Sequence, residues 1–177
     1  MNFKTAAIFI FLLFTTFIAG AQRSPTVCYG LGQNPQTAFP VCGTASFEQK
    51  TVPLCGNRRV PNPACKDELS DKNPFWYKFT CFETGTLGFL ITPATMEDDY
   101  DWQLYDITGK DPSAVYSDAS LIIASNWSGE GGLTGASNTG SNLHVCAGYG
   151  RPLFSKMPTI TKGHQYLLLV SHFSDSQ

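Results

Sequence analysis

Six short runs of β-favouring residues fill the chain after residue 73, and they restrict the fold more than any other feature. Within the runs, apolar and aromatic side chains alternate with smaller or polar ones or form a brief apolar stretch. The runs cover residues 74–82, 86–92, 101–107, 120–125, 143–149 and 165–173. No segment keeps the i, i+3, i+4, i+7 spacing of a long helix. Short strands without intervening helices are typical of an antiparallel β-sandwich or jelly roll, so the sequence predicts an all-β domain over residues 74–177.

The segments between the runs predict how the strands connect. Residues 83–85 form a turn short enough to make the first two runs a hairpin. Residues 126–140 are rich in Gly, Ser and Asn, which is typical of a long loop. The last run is followed by only a few residues, which would leave a sheet edge without a partner strand. We therefore expect the sandwich to continue past residue 177 in a longer protein.

The region from residue 22 to residue 73 has a different composition and predicts an irregular, disulfide-stapled segment. It holds four of the six cysteines and six of the prolines, with little apolar periodicity, so it is expected to bury little surface by itself. An even number of cysteines in an exported chain indicates disulfides, and the lack of a Cys-x-x-Cys pair argues against zinc. The sequence does not choose the pairing, but all six are expected to be bonded: Cys28, Cys42, Cys55, Cys65, Cys81 and Cys146.

Residues 1–21 have the features of a secretory signal peptide. They contain Lys4, an apolar run over residues 5–18 and a small-residue end at residues 19–21. The apolar run is shorter than the roughly 20 residues that cross a bilayer, so we expect a secreted or cell-surface protein with no membrane span in its mature part. The formal net charge is −2, and no basic cluster is present that could neutralise phosphates, which argues against a nucleic-acid partner.

Residues 97–101 read Glu-Asp-Asp-Tyr-Asp and form the most acidic stretch of the chain. Calcium prefers several carboxylate and carbonyl oxygens, so one interpretation is a calcium site at Asp98, Asp99 and Asp101. On an extended chain, however, Asp99 and Asp101 point to one side and Asp98 to the other. The stretch also lacks the EF-hand pattern of glycine and glutamate.

The favoured interpretation of the same stretch is an exposed acidic turn that leads into a core strand. Trp102 and Leu104 share one parity and are expected to face the core. The charges in the turn would keep a sheet edge from pairing with other chains. This interpretation requires no cofactor, and calcium stays the alternative.

The sequence contains no complete catalytic set, so we expect the chain not to be an enzyme. Asp99, Asp101 and Asp106 lie on one run, whereas glycoside hydrolysis needs two acids on opposite sides of the scissile bond. No Gly-x-Ser-x-Gly or His-Glu-x-x-His motif accompanies the histidines. His172 is expected to pack within its strand. His144 and His164 are expected to be exposed.

Two aromatic residues are candidates for ligand binding. Trp127 and Tyr149, together with Trp102, could form a platform on which a sugar ring stacks. Core packing is the alternative role for aromatic residues in a sandwich, and we favour it for Trp102. For Trp127 both roles stay open.

Several of these runs resemble the β-sandwich of pre-peptidase C-terminal domains. Those domains share a strand with an aromatic-x-Phe pattern, an Asp-x-Asp-hydrophobic-x-Leu-Tyr-Asp element and a final Gly-x-x-Tyr-hydrophobic-x-Val strand. The matching residues are Asp99, Asp101, Leu104, Tyr105 and Asp106 for the middle element and Gly163, Tyr166 and Val170 for the last. The chain is also similar to the N-terminal regions of large exported surface proteins of gliding Bacteroidota, which are linked to motility or adhesion. The resemblance covers residues 73–177.

The resemblance and the residues together give three functional hypotheses. The first is a secreted, non-catalytic β-sandwich module of a larger cell-surface protein, in adhesion or surface assembly, with an extracellular protein or glycan as partner. The second is an accessory domain of a secreted hydrolase. The third is a carbohydrate-binding module that uses Trp127 and Tyr149.

Overall fold

The computed structural model describes residues 27–43 and 46–174, and within these ranges the protein is an all-β fold. About 40% of the structure is strand, and the described part contains no helix of seven or more residues. The strands are β1 (Phe39–Pro40), β2 (Gly56–Val60), β3 (Leu69–Lys72), β4 (Pro74–Thr80), β5 (Gly85–Thr86), β6 (Phe89–Ile91), β7 (Tyr100–Asp106), β8 (Ile122–Ser128), β9 (Thr134–Ser137), β10 (His144–Gly148), β11 (Phe154–Lys156), β12 (Thr159–Ile160) and β13 (Gln165–His172). Short 3₁₀ helices lie at Pro35–Thr37, Pro112–Tyr116 and Ala119–Leu121. The predicted fold class is confirmed, while the predicted signal peptide lies outside the described residues.

The largest sheet has six strands in the order β1-β4-β13-β7-β8-β10. Its four inner strands are antiparallel, as predicted, but β1 runs parallel to β4 and β10 runs parallel to β8. The C-terminal strand β13 pairs with β4 on one side and with β7 on the other. The last run is therefore an inner strand, and the unpaired edge that we expected there is absent from the described structure.

A second sheet of three strands, in the order β11-β9-β6, covers one face of the large sheet. Trp102 and Leu104 of β7 are fully buried beneath it, and the ring of Phe89 meets the ring of Trp102 edge-on at 4.8 Å. This confirms the inward orientation predicted for Trp102 and Leu104. The contact closes a β-sandwich.

The predicted hairpin between residues 74–82 and 86–92 does not form. Both edges of β4 are occupied, by β13 and β1, so the chain crosses to the second sheet, where β6 pairs with β9. Strand β9 lies inside the segment predicted as a loop. Its Gly135 sits where a Cβ would lie 2.2 Å from the carbonyl oxygen of Phe89, so the glycines that indicated a loop instead permit close strand pairing.

The cysteine-rich segment covers the opposite face of the large sheet. Val60, Cys65 and Leu69 are buried there against Trp76 and Tyr105 of the sheet. The hairpin of β2 and β3 and two of the 3₁₀ helices complete this layer. The expectation that this segment buries little surface was wrong, because Val60, Cys65 and Leu69 are buried against the sheet.

Four of the six cysteines form two disulfides. Cys28 is bonded to Cys55 within the N-terminal segment, and Cys65 is bonded to Cys146 on β10. The prediction that all six cysteines are bonded is wrong, because Cys42 and Cys81 remain as free thiols. Cys42 is exposed, whereas Cys81 is buried with its thiol 2.9 Å from the carbonyl oxygen of Glu83, and the two are not joined. In the described part, no helix is long and apolar enough to span a membrane.

Candidate functional site

The acidic stretch before β7 is packed between two other segments rather than free in solvent. The backbone N–H of Gly132 donates to the carbonyl oxygen of Asp98 at 3.1 Å. On the other side, the N–H of Phe173 donates to the carbonyl oxygen of Asp99 at 2.9 Å, and the N–H of Asp99 donates to the Ser174 hydroxyl at 2.9 Å. The loop after β8 and the end of β13 therefore fix the position of this turn.

Asp98 does not belong to an exposed turn as predicted. Its side chain is buried, and its Oδ2 lies 3.6 Å from Nε2 of His172. His172 is itself only 2% exposed, and its ring stacks on Tyr100 with centroids 4.4 Å apart. The packed position predicted for His172 is confirmed. Asp98 contacts this histidine rather than the neighbouring acids.

Asp99, Asp101 and Glu130 form a group that we call the carboxylate cluster. Burial raises the pKa of Asp101 well above its ordinary value, and the charge of Asp99 raises it further. Burial also raises the pKa of Asp99 to about 6, with an added contribution from Glu130. Asp99 is therefore the acid whose charge is coupled to both of the others, to Asp101 and to Glu130.

The acids of the carboxylate cluster form no ion pair within the described part of the chain. None of the ion pairs among the described residues involves Asp99, Asp101 or Glu130. Oδ1 of Asp99 is buried without a hydrogen-bond partner. The carboxylate of Asp101, in a side chain only 5% exposed, also makes no hydrogen bond to a described residue. A buried polar atom without a partner is costly, so Oδ1 of Asp99 lowers the stability of the fold.

Glu130 reaches the cluster because of the glycines beside it. A Cβ at Gly131 would lie 2.4 Å from the carbonyl oxygen of Glu97, so only glycine lets the loop pack against the acidic turn. One carboxylate oxygen of Glu130 accepts a hydrogen bond from the N–H of Gly150. The sequence analysis did not select Glu130, although its position between glycines right after a strand was a usable signal.

The structure does not bring the three predicted calcium ligands together. Within residues 27–43 and 46–174, one group of three ligand atoms lies within 4.8 Å of one another, at Cys65, Asp67 and Cys146. That group cannot hold an ion, because its two cysteines are joined as a disulfide. The oxygens of the carboxylate cluster are spaced more widely than this limit. Calcium binding at Asp98, Asp99 and Asp101 stays a prediction.

The two predicted ligand-binding aromatics occupy opposite environments. Trp127 is only 4% exposed, and its Nε1 donates to Oε1 of Gln103 at 3.0 Å, so its ring is in the core and cannot stack on a ligand. Tyr149 is 88% exposed. It directly precedes Gly150, whose N–H donates to Glu130, so the backbone of Tyr149 lies near Glu130. The proposed platform with Trp102 and Trp127 does not form.

The other two histidines are partly buried and hydrogen-bonded rather than fully exposed. Nδ1 of His144 lies 3.1 Å from the hydroxyl of the buried Ser125, and burial lowers the pKa of His144. Nδ1 of His164 lies 2.7 Å from Oδ2 of Asp106. Burial acts to raise the pKa of Asp106, but hydrogen bonds from Thr108 and His164 outweigh it and lower the value.

The acids on β7 are far apart. Asp101 and Asp106 are five residues apart on one strand, a separation of about 17 Å at about 3.3 Å per residue. This exceeds the distance at which two carboxylates flank a glycosidic bond.

A second exposed feature lies on the N-terminal segment. Four exposed apolar side chains lie within three residues of Cys28 or Cys55 in the sequence, and we call them the apolar N-terminal surface: Val27, Tyr29, Leu31 and Leu54. Exposed fractions of these side chains range from 47% to 80%.

Comparisons with protein-family models, with curated proteins and with solved structures find no match to this chain.

Proposed function

We propose that this chain is a secreted, non-catalytic β-sandwich module that binds a partner at the cell surface, in adhesion or surface assembly. The observation that supports this proposal is the carboxylate cluster, whose acids form no ion pair with another described residue. Its Glu130 accepts a hydrogen bond from the N–H of Gly150, the residue that follows the exposed Tyr149. A partner that supplies positive charge would complete the site.

The energetics of the cluster favour a binding role. Carboxylates that are partly buried close to one another weaken the folded state at neutral pH, because each is desolvated and each repels the next. Natural proteins keep such strained groups mainly where function requires them. Rigid strands and backbone hydrogen bonds hold Asp99 and Asp101 in place, which lowers the entropy lost on binding.

The environment of the histidines favours a non-catalytic role. His144 is engaged with a buried serine and His164 with Asp106, while His172 packs against Tyr100. Each imidazole is thus engaged in a contact within the fold.

The alternative is an accessory domain of a secreted hydrolase that binds a glycan. The exposed Tyr149 favours it, because an aromatic ring beside carboxylates can stack on a sugar while the acids accept its hydroxyl protons. In that case Tyr149→Ala would remove more affinity than any change at the acids.

A cell-binding assay tests the proposal. The chain from residue 22 onwards, labelled with a fluorophore, is added to the cells that produce it, and bound label is measured by flow cytometry. We expect saturable binding that falls at least tenfold when the cluster is neutralised by Asp99→Asn, Asp101→Asn and Glu130→Gln.

The matched control neutralises three exposed acids elsewhere, at Glu48, Glu68 and Glu83, and should bind as the unchanged chain does. Equal binding by the cluster variant and the control would contradict the proposal. Turnover of peptide or glycoside substrates by the purified chain, lost on Asp101→Asn, would also overturn it.

A further inference from the structure

We infer that a groove on the large sheet binds a free saturated fatty acid of medium length, with its carboxylate at Lys78. The walls of the groove come from β4, β13, residues 40–42 and the 3₁₀ helices at Pro35–Thr37 and Pro112–Tyr116. Its volume is about 410 Å³. None of the described residues that line it belongs to the carboxylate cluster, so the inference goes beyond the proposed function and does not depend on it.

The groove begins where the layer that covers this face of the sheet stops. Side chains two residues apart on a strand share a face, so Trp76 and Lys78 of β4 point to the same side. Trp76 is fully buried under the cysteine-rich layer, whereas Lys78 is exposed. Leu167 of β13 pairs with Lys78 and also lines the groove. The cover of this face therefore ends between Trp76 and Lys78.

Most of the residues that line the groove are apolar. The aliphatic and proline members are Pro35, Pro40, Val41, Ile107, Pro112 and Leu167. Phe82 also lines it and is 75% exposed, so a large apolar ring is left in water. A ligand with an apolar body would remove this surface from water, which is favourable.

One positive charge lies among these apolar residues. Among the described residues that line the groove, Lys78 alone has a charged side chain. Its ammonium group forms no ion pair with another described residue. Charge complementarity therefore selects a ligand with a single negative charge, and a carboxylate accepts a charge-assisted hydrogen bond from an ammonium group.

The size and chemistry of the groove favour a fatty acid over a peptide. Its volume is typical of small-molecule sites, and at about 30 Å³ for each water-sized group it has room for a saturated carboxylate of about ten carbons. The body of such a molecule has no polar atoms to satisfy. A peptide with a C-terminal carboxylate would bring amide groups that need hydrogen-bond partners, and mostly apolar walls provide few of them.

Calorimetric titration with sodium decanoate, below the concentration at which it forms micelles, tests the inference. The protein is the chain from residue 22 onwards, and we expect saturable binding of one molecule per chain. Each methylene that leaves water strengthens binding about fourfold, so the shorter hexanoate should bind at least tenfold more weakly. Decan-1-ol, which keeps the apolar chain but lacks the charge, should bind about fivefold more weakly.

Two changes locate the ligand in the groove. Lys78→Gln should lose the preference for decanoate over decan-1-ol, whereas Lys156→Gln, at an exposed lysine of β11, should keep it. Cys42 lines the groove with an exposed thiol, so alkylating it with a bulky maleimide should weaken decanoate binding at least tenfold. The Cys42→Ser chain should bind decanoate normally before and after maleimide treatment. Circular dichroism verifies the fold of each protein.

Three results would overturn the inference. Decanoate that binds the alkylated chain as well as the untreated one, or that shows no saturable binding, does not occupy the groove. Equal loss of affinity for decanoate and decan-1-ol in Lys78→Gln shows that Lys78 does not hold the carboxylate. An apolar peptide with a free C-terminus that binds more tightly than decanoate shows that the occupant is a peptide. The variant with the carboxylate cluster neutralised should bind decanoate normally, so these results and the cell-binding assay fail independently.

Discussion

Replacing Asp99 with asparagine should stabilise this protein at neutral pH. The pKa of Asp99 is raised to about 6 by burial and by Glu130, whereas an unfolded aspartate titrates near 3.9. When an acid has a higher pKa folded than unfolded, the folded state binds more protons between the two values. The free energy of unfolding therefore falls as the pH rises through this interval, and the ionised Asp99 destabilises the fold above about pH 6.

The size of this stabilisation follows from the pKa shift of Asp99 and from the exposure of its side chain. A shift of about two pKa units corresponds to about 3 kcal/mol for a group fully shielded from water. Asp99 is only partly buried, so solvent screening reduces the expected effect to about 1 kcal/mol. For a chain of this length, that corresponds to a change in melting temperature of about 2–4 °C.

Thermal melting followed by circular dichroism at pH 7.5, 6.0 and 4.5 measures this effect. Asp99→Asn should melt about 2–4 °C above the unchanged chain at pH 7.5 and within about 1 °C of it at pH 4.5. Some pH dependence should remain in the variant, because burial also raises the pKa of Asp71 and of Asp101. The scan stops at pH 4.5, since Asp106 has a lowered pKa and loses its contribution to stability in stronger acid.

Two results would refute this reasoning. If Asp99→Asn melts at or below the temperature of the unchanged chain at pH 7.5, the carboxylate is not destabilising. If its melting temperature differs by the same amount at every pH, the cause is packing rather than charge. Glu83→Gln, at an exposed position, is the control and should change nothing measurable.

Further predictions follow from the core, the thiols and the acidic stretch. Trp102→Ala should lower the free energy of unfolding by about 3–5 kcal/mol in urea titrations, because the ring is fully buried against Phe89; a loss below about 1 kcal/mol would contradict this. A maleimide should label Cys42 in the native chain and Cys81 only after denaturation, and an absence of labelling in denaturant would show a third disulfide. Millimolar calcium should raise the melting temperature by less than about 1 °C relative to chelator; a rise of several degrees, abolished by neutralising the carboxylate cluster, would establish a metal site.

The runs read from the sequence agree with the main strands because their side-chain pattern is local. The predicted runs at 74–82, 101–107 and 165–173 become β4, β7 and β13, with bounds shifted by no more than two residues. Trp76 and Trp102 lie on opposite faces of the large sheet, one in each core cluster. Alternation of apolar and polar residues along a strand indicates which side chains are buried, and this pattern can be seen in the sequence alone.

Pairing between strands could not be predicted in the same way, because the information is spread over distant positions. β13 lies between β4 and β7, and β1 adds in parallel at the edge. Nothing in the turn at residues 83–85 shows that both edges of β4 are already occupied. The disulfide pairing likewise depends on which distant segments pack together, as for Cys65 and Cys146.

The packing of the cysteine-rich segment on the large sheet depends on a polar contact that no sequence motif predicts. The side-chain amide of Asn62 donates to Oε1 of Gln103 at 3.0 Å and to the hydroxyl of Ser125 at 2.8 Å. Trp127 donates to the same Gln103 oxygen. Composition indicated a segment that buries little, but one buried asparagine and three apolar residues anchor it on the sheet. A network of this kind is stable only when every member is satisfied, which ties this segment to the sandwich.

The acidic stretch at residues 97–101 shows which features of a site neighbouring residues in the sequence can predict and which they cannot. Period-two alternation predicted that Asp99 and Asp101 share one side while Asp98 points away, and the contacts agree: Asp98 meets His172, and Asp99 raises the pKa of Asp101. The third member, Glu130, arrives from a loop that only glycine at 131 allows to approach. Two carboxylates at the start of a strand resemble many solvated turns, whereas the contribution of Glu130 to the pKa of Asp99 comes from a distant loop. The functional hypothesis therefore rests on the long-range contact rather than on the motif that drew attention to the stretch.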